Sequence, residues 1–180
     1  MKVTVFGGSS PKEGDLAYAN ALTLGKMLAQ RGCTVITGGY IGTMEAVSKG
    51  ARLAGGEVIG ITCDEIESWR PVSPNEYLTQ ENRYKTLKER LYALIETPDI
   101  LIALPGGIGT LAEISLSWSQ LQIQAIPSKP LIIIGKEWEH VFSTFFTELD
   151  AYMQRKDAGL LTFAADISNA VDIIDGLLAQ

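Results

Sequence analysis

The sequence predicts an α/β fold, a doubly wound parallel sheet with helices on both faces, and two observations carry that expectation. Short apolar, β-branched runs, of the kind that strands buried on both faces require, alternate with longer segments of helical period. Glycine-rich turns stand at the ends of three of these runs, the joint at which a buried strand hands over to a helix. Taken in order, residues 3–6 form the first strand. Residues 15–31 carry apolar side chains at Leu16, Ala19, Leu22, Leu24, Met27 and Leu28 and stop before Gly32, a C-terminal helix signal. Strand 34–37 leads to helix 43–54, and strand 58–62 leads to residues 63–78, where Asp64, Glu65, Glu67, Trp69, Pro71 and Pro74 break any period. That loop reads either as a lid or substrate-selecting segment or as an ordered surface excursion. Residues 79–97 are expected as one helix burying Tyr84, Leu87, Leu91, Leu94 and Ile95. Strand 100–103, helix 110–124, strand 131–134, helix 138–154, a short edge strand at 160–164 and helix 169–179 complete the run. Such alternation needs right-handed crossovers and gives a Rossmann-like sheet.

Composition narrows the function classes. A chain of 180 residues without an evident linker suits one domain, residues 1–180, with room for a proper core. No apolar run reaches the roughly 18 residues of a membrane span, and Met1-Lys2-Val3 enters a strand at once without a signal-peptide pattern, so the expected location is cytoplasmic. The net charge of −6 argues against nucleic acid as a partner, because binding a polyanion draws on clustered Lys and Arg. A free nucleotide needs only one local positive site. Cys33 and Cys63 are too few for a disulfide framework and, with the single His140, make no zinc set, so both read as buried reduced thiols and neither metal nor cofactor is expected.

The turn with most chemistry is Pro105-Gly106-Gly107-Ile108-Gly109-Thr110-Leu111-Ala112-Glu113. A glycine turn opening a helix lets backbone N–H groups approach an anion with no side chains in the way, which makes phosphate its natural guest. Gly38-Gly39-Tyr40-Ile41-Gly42-Thr43-Met44 repeats the arrangement, and Gly7-Gly8-Ser9-Ser10 follows the first strand. In a doubly wound sheet all three crowd one crevice at the carboxyl ends of the strands. Sterics alone also demand glycine at such joints, and neither the P-loop nor the dinucleotide fingerprint is matched. Thr110-Leu111-Ala112-Glu113 reads in two ways: as a capping box, or as a turn that points Glu113 at a substrate. On the expected helix 79–97, Arg83, Thr86 and Arg90 share a face, where two Arg can clamp a phosphate or simply stay solvated. Lys85, Lys88 and Glu89 read as surface charges.

These residues resemble a known family. Pro105, Gly106, Gly107, Gly109, Thr110 and Glu113 match the Pro-Gly-Gly-x-Gly-Thr-x-x-Glu signature of LONELY GUY (LOG) proteins, long mislabelled as lysine decarboxylases. Val5-Phe6-Gly7-Gly8-Ser9-Ser10 and the turn from Gly38 to Met44 resemble the family's first two turns, and Glu89-Arg90 falls where the family has Met-x-Glu-Arg-Lys. The resemblance implies a phosphoribohydrolase acting on AMP or a cytokinin nucleotide, freeing the base and ribose 5-phosphate. Carried over, Arg90 and Glu113 are the catalytic pair, and Gly106, Gly107, Ile108, Gly109 and Thr110, with Gly8, Ser9, Gly39 and Gly42, hold the nucleotide and its phosphate. The partner implied is a small nucleoside monophosphate, with no nucleic acid or membrane, and the assembly a homodimer, for which residues 114–126 offer apolar length. Leu91, Tyr40 and Glu45 depart from the family's Lys, Gly and Gly. Met44-Glu45-Ala46-Val47 also resembles molybdenum-cofactor carriers of the same fold, so the alternative is a protein that binds without hydrolysing.

Overall fold

Apolar residues alternate sides along every central strand, and the two faces they create need two helical layers to cover them. The computed structural model describes residues 1–179, so Gln180, the last residue of the expected domain, lies outside the described residues. Seven strands, β1 (Lys2–Phe6), β2 (Thr34–Thr37), β3 (Val58–Cys63), β4 (Gln80–Tyr84), β5 (Ile100–Ala103), β6 (Leu131–Ile134) and β7 (Leu161–Ala164), form one sheet in the order β4-β3-β2-β1-β5-β6-β7. All six pairings are parallel. Val3, Val5, Val35, Ile100, Ile102 and Ile132 face α1 (Leu16–Gln30), α2 (Thr43–Leu53) and α8 (Ile167–Leu178). Phe6, Ile36, Ile61, Leu101 and Ile133 face α4 (Leu87–Glu96), α5 (Ile108–Gln122) and α6 (Lys136–Glu148). The expected edge strand is present as β7. Among the described residues no helix is long and apolar enough to cross a membrane. Cys33 and Cys63 are both buried free thiols.

The expected helix over 79–97 is corrected: its first part is strand β4, and the helix begins only at Leu87. β4 lies at the sheet edge, paired with β3 from Ile59↔Gln80 to Cys63↔Tyr84, and the polar run Gln80-Glu81-Asn82-Arg83 imitates a solvated helix face. Thr86 then fixes the helix start by accepting from the Glu89 backbone N–H, while the Glu89 carboxylate accepts from the Thr86 N–H, so Glu89 is a capping residue as well as a surface charge. Arg83 therefore shares no helix face with Arg90. It pairs instead with Asp64 at 2.6 Å and Glu67 at 2.8 Å. Those acids belong to α3 (Asp64–Trp69), a short helix inside the segment expected as loop, with Asp64, Glu65 and Glu67 at its positive N-terminal end. The expected helix 138–154 likewise ends at Glu148 and passes through a 3₁₀ turn, Asp150–Tyr152, into α7 (Arg155–Ala158).

Candidate functional site

β1 and β5 are neighbours while their following helices lie on opposite faces, which opens a crevice beyond their carboxyl ends, the place where open α/β sheets bind ligands. The three glycine turns meet there. Gly42 takes φ +79°, a conformation that L side chains rarely adopt, and a Cβ on it would collide with the Gly8 carbonyl. Thr43, the next residue, donates to that carbonyl from its backbone N–H at 2.9 Å and from Oγ1 at 3.1 Å. The first and second turns are thereby locked together.

A cavity of about 450 Å³ fills the crevice, a size that suits a small-molecule ligand. Of the residues singled out in the sequence, Gly8, Ser9, Gly107, Ile108, Gly109, Thr110, Arg90 and Glu113 line it. Gly106, Gly39 and Gly42 do not; they stand behind the lining and shape the turns. α5 starts at Ile108 with Gly107 as its N-cap, so the first N–H groups of the helix open at the cavity without partners inside the helix. The capping box expected at Thr110 and Glu113 is not formed: no side chain caps α5. Thr110 is already the third residue of the helix, too far in to serve as its N-cap. Its Oγ1 is buried and has no hydrogen-bond partner, and Glu113 is released from any capping duty.

Arg90 and Glu113 meet at the buried end, 5% and 7% exposed, with Arg90 Nη1 3.9 Å from Glu113 Oε1. Arg90 is held on three sides. Nε donates to the Ile61 carbonyl at 2.8 Å, Nη2 donates to the Gly38 carbonyl at 3.2 Å, and the guanidinium lies 5.7 Å from the centre of the Tyr40 ring. A Cβ on Gly38 would run into Nη2, so the bare backbone there makes room for the guanidinium. Tyr40 is itself fixed, its hydroxyl accepting from the Cys63 N–H at 2.8 Å and donating to the Cys63 carbonyl at 3.1 Å. Glu113 is less well served. Among the described residues its carboxylate accepts no hydrogen bond, and burial pushes it up from 4.5 to about 7, with Arg90 pulling the other way. A carboxyl group that titrates near neutrality at the end of a cavity is suited to taking up a proton or facing a developing positive charge.

Ile66, Trp69 and Arg70 of the 63–78 segment complete the lining, with Tyr40, Met44, Leu87 and Leu91. The sequence offered this segment as substrate-selecting but singled out neither Ile66 nor Arg70 within it. A Trp-Arg pair in an aperiodic segment after a strand was the available signal, since binding residues concentrate in such segments. A wider cavity of about 810 Å³ lies near Pro105 between α1, α6 and α8, but its charged residues Lys136, Glu137 and Asp166 are exposed. Asp166 caps α8 there. Among the described residues no group of three or more His, Cys, Asp and Glu is placed to hold a metal ion.

Comparison with known proteins adds three findings. A sequence model of the SLOG cluster4 family matches residues 1–158. A rice (Oryza sativa subsp. japonica) protein named "Probable cytokinin riboside 5′-monophosphate phosphoribohydrolase LOGL5" is 33% identical over 137 residues, 74% of this chain and 55% of the rice protein. The cytokinin riboside 5′-monophosphate phosphoribohydrolase of Rhodococcoides fascians is 30% identical over 136 residues, 74% of this chain and 67% of its own length. The chain thus spans little more than half of the rice relative. Among solved structures, the molybdenum cofactor carrier protein of Chlamydomonas reinhardtii superposes with a TM-score of 0.73 at 28% identity, covering 99% of this chain and 98% of the carrier.

Proposed function

The chain belongs to the LOG family, as the SLOG cluster4 match over residues 1–158 and the 30–33% identity to cytokinin riboside 5′-monophosphate phosphoribohydrolases together show, and from that premise we propose that it is a nucleoside 5′-monophosphate phosphoribohydrolase. The observation that carries the reading is the buried Arg90–Glu113 pair, facing the same cavity as the open N-terminus of α5. The 5′-phosphate sits on the backbone N–H groups of residues 107–110, with the unpartnered Thr110 hydroxyl as a further donor. The ribose then lies along α5, its anomeric carbon toward Glu113, one helical turn beyond Thr110. The base occupies the apolar part of the cavity, between Ile66, Trp69, Leu87 and Leu91.

Breaking the N-glycosidic bond develops oxocarbenium character on the ribose. The Glu113 carboxylate stabilises that charge and takes the proton of the attacking water, whose oxygen bonds to the anomeric carbon while the base leaves with the bonding electrons and picks up a proton from solvent, to which Glu113 then gives up its own. The products are free base and ribose 5-phosphate. Arg90, anchored on two backbone carbonyls, sets the position of the carboxylate. The two family substrates named above, AMP and cytokinin nucleotides, share the ribose 5-phosphate that these residues address. Two copies of the chain make up the functional unit in this reading; of the apolar residues expected at that interface, Ile123 is 70% exposed, whereas Ile114, Leu121 and Ile126 are buried in the core.

A second reading is favoured by one observation: the carrier from Chlamydomonas reinhardtii matches nearly the full length of both chains. On that reading the crevice binds a molybdenum cofactor as cargo without hydrolysis. Incubation with AMP, with free adenine followed over time, separates the two. Turnover that disappears in Glu113→Ala and Arg90→Ala proteins that remain folded supports the hydrolase, and tight ligand binding with no base released overturns it.

A further inference from the structure

The cavity contains one more charged side chain, Arg70, to which the proposed chemistry gives no role. Arg70 ends α3 in extended backbone, φ −143° and ψ 144°, where the 63–78 segment passes the crevice. Its Nη1 lies 3.4 Å from Ser9 Oγ on the first glycine turn, and its guanidinium carbon lies 5.6 Å from the centre of the Trp69 ring. Its Nε is buried and has no hydrogen-bond partner. Arg31, Arg83 and Arg90 each face a carboxylate, whereas among the described residues Arg70 faces none. A buried guanidinium N–H without an acceptor is costly, and an anionic ligand is the acceptor that removes the cost.

The position of that N–H says which part of a ligand it meets. The first turn packs on the third, a Cβ on Gly8 coming within 3.4 Å of the Gly106 Cα. The Arg70 head, resting on Ser9, lines the same cavity as residues 107–109 of the third turn. Arg90 is unsuited to the same task, because Nε and Nη2 are committed to the Ile61 and Gly38 carbonyls and Nη1 faces Glu113. We propose that Arg70 is the specificity-determining residue that makes this site select a phosphorylated nucleoside over a nucleoside, its guanidinium fork donating to the phosphate oxygens that the α5 N-terminus leaves free. The inference rests on the nucleotide reading of the site. It also answers a question of charge, since a dianion placed in a cavity with a buried carboxyl group needs a cation not already paired.

The test compares Arg70→Ala and Arg70→Lys with the unaltered protein, measuring AMP, adenosine and ribose 5-phosphate binding by calorimetry and kcat and KM on AMP. In Arg70→Ala the affinities for AMP and ribose 5-phosphate fall about 10- to 100-fold, the loss expected for charge-assisted hydrogen bonds. Adenosine affinity holds, so the preference for AMP over adenosine collapses by the same factor, and KM rises more than kcat falls. Lysine restores part of the loss, supplying charge without the fork. Equal losses for AMP and adenosine, or no loss for either, overturn the assignment. Because binding is read without turnover, a protein that binds AMP but frees no adenine defeats the hydrolase reading and leaves Arg70 judged by the affinity ratio. An unaltered protein that binds neither AMP nor ribose 5-phosphate overturns both.

Discussion

Replacing Glu113 by Gln keeps the size of the side chain and removes its titration, which makes the cost of burying this carboxylate measurable. In the folded protein the group is raised from 4.5 to about 7, so the folded state holds its proton more tightly than the unfolded chain. Its contribution to stability is therefore fully present below pH 4.5 and is lost as pH rises through 7. At about 1.4 kcal/mol per pH unit the loss comes to about 3 kcal/mol. Glutamine suffers no such loss. Arg90, whose contact with Glu113 at 3.9 Å is too long for a hydrogen bond, keeps its two backbone acceptors in the variant. Urea denaturation of both proteins at pH 4 and pH 8 measures the difference. The stability of Glu113→Gln relative to the unaltered protein rises by about 3 kcal/mol between those pH values, or about 6 to 12 °C in Tm for a domain of this size. Other titrating groups cancel in the comparison. A difference that stays constant from pH 4 to pH 8, or that narrows, refutes the reasoning and shows that Glu113 is ionised in the folded state at little cost.

Two further substitutions test the surroundings of the pair. Gly38→Ala places a Cβ against Arg90 Nη2 and Met44 Sδ; displacing the guanidinium by an ångström lowers AMP turnover about 100-fold while circular dichroism stays that of the folded protein. Thr110→Val removes a buried hydroxyl that has no partner, so urea denaturation shows the unliganded protein stabilised by about 1 kcal/mol, whereas ribose 5-phosphate affinity measured by calorimetry falls about tenfold.

What the sequence disclosed, and what it concealed, follows from the physics of particular residues. The central strands were legible because Val35-Ile36, Ile100-Leu101-Ile102 and Leu131-Ile132-Ile133-Ile134 are buried on both faces and carry no polar residue that a helix surface would show. β4 was concealed because an edge strand with exposed Glu81 and Arg83 has the polarity of a helix exterior. Its consequence was the expected Arg83–Arg90 face, which dissolves once Arg83 is in the sheet and bound to α3. The Thr-x-x-Glu pattern occurs three times, from Thr62, Thr86 and Thr110, and caps once. Thr86 and Glu89 form the box because the chain arrives at Thr86 in extended backbone, φ −114° and ψ 154°. At Thr110 the glycine turn has already launched the helix at Ile108, and pattern alone cannot register that early start. The cavity's cation at position 70 was hidden for a different reason: its place depends on how residues 63–78 fold across the crevice, which no local period records.

The central claim, that residues 107–110 hold the phosphate and Glu113 faces the anomeric carbon, is tested most directly by a crystal structure of the Glu113→Gln protein with AMP, in which an uncleaved substrate persists. The account predicts the phosphate within hydrogen-bond distance of the first backbone N–H groups of α5 and of Thr110 Oγ1, with the glycosidic bond beside residue 113 and the base against Ile66, Trp69 and Leu91. AMP bound the other way round, with its base at the glycine turn, or seated in the cavity between α1, α6 and α8, would contradict it.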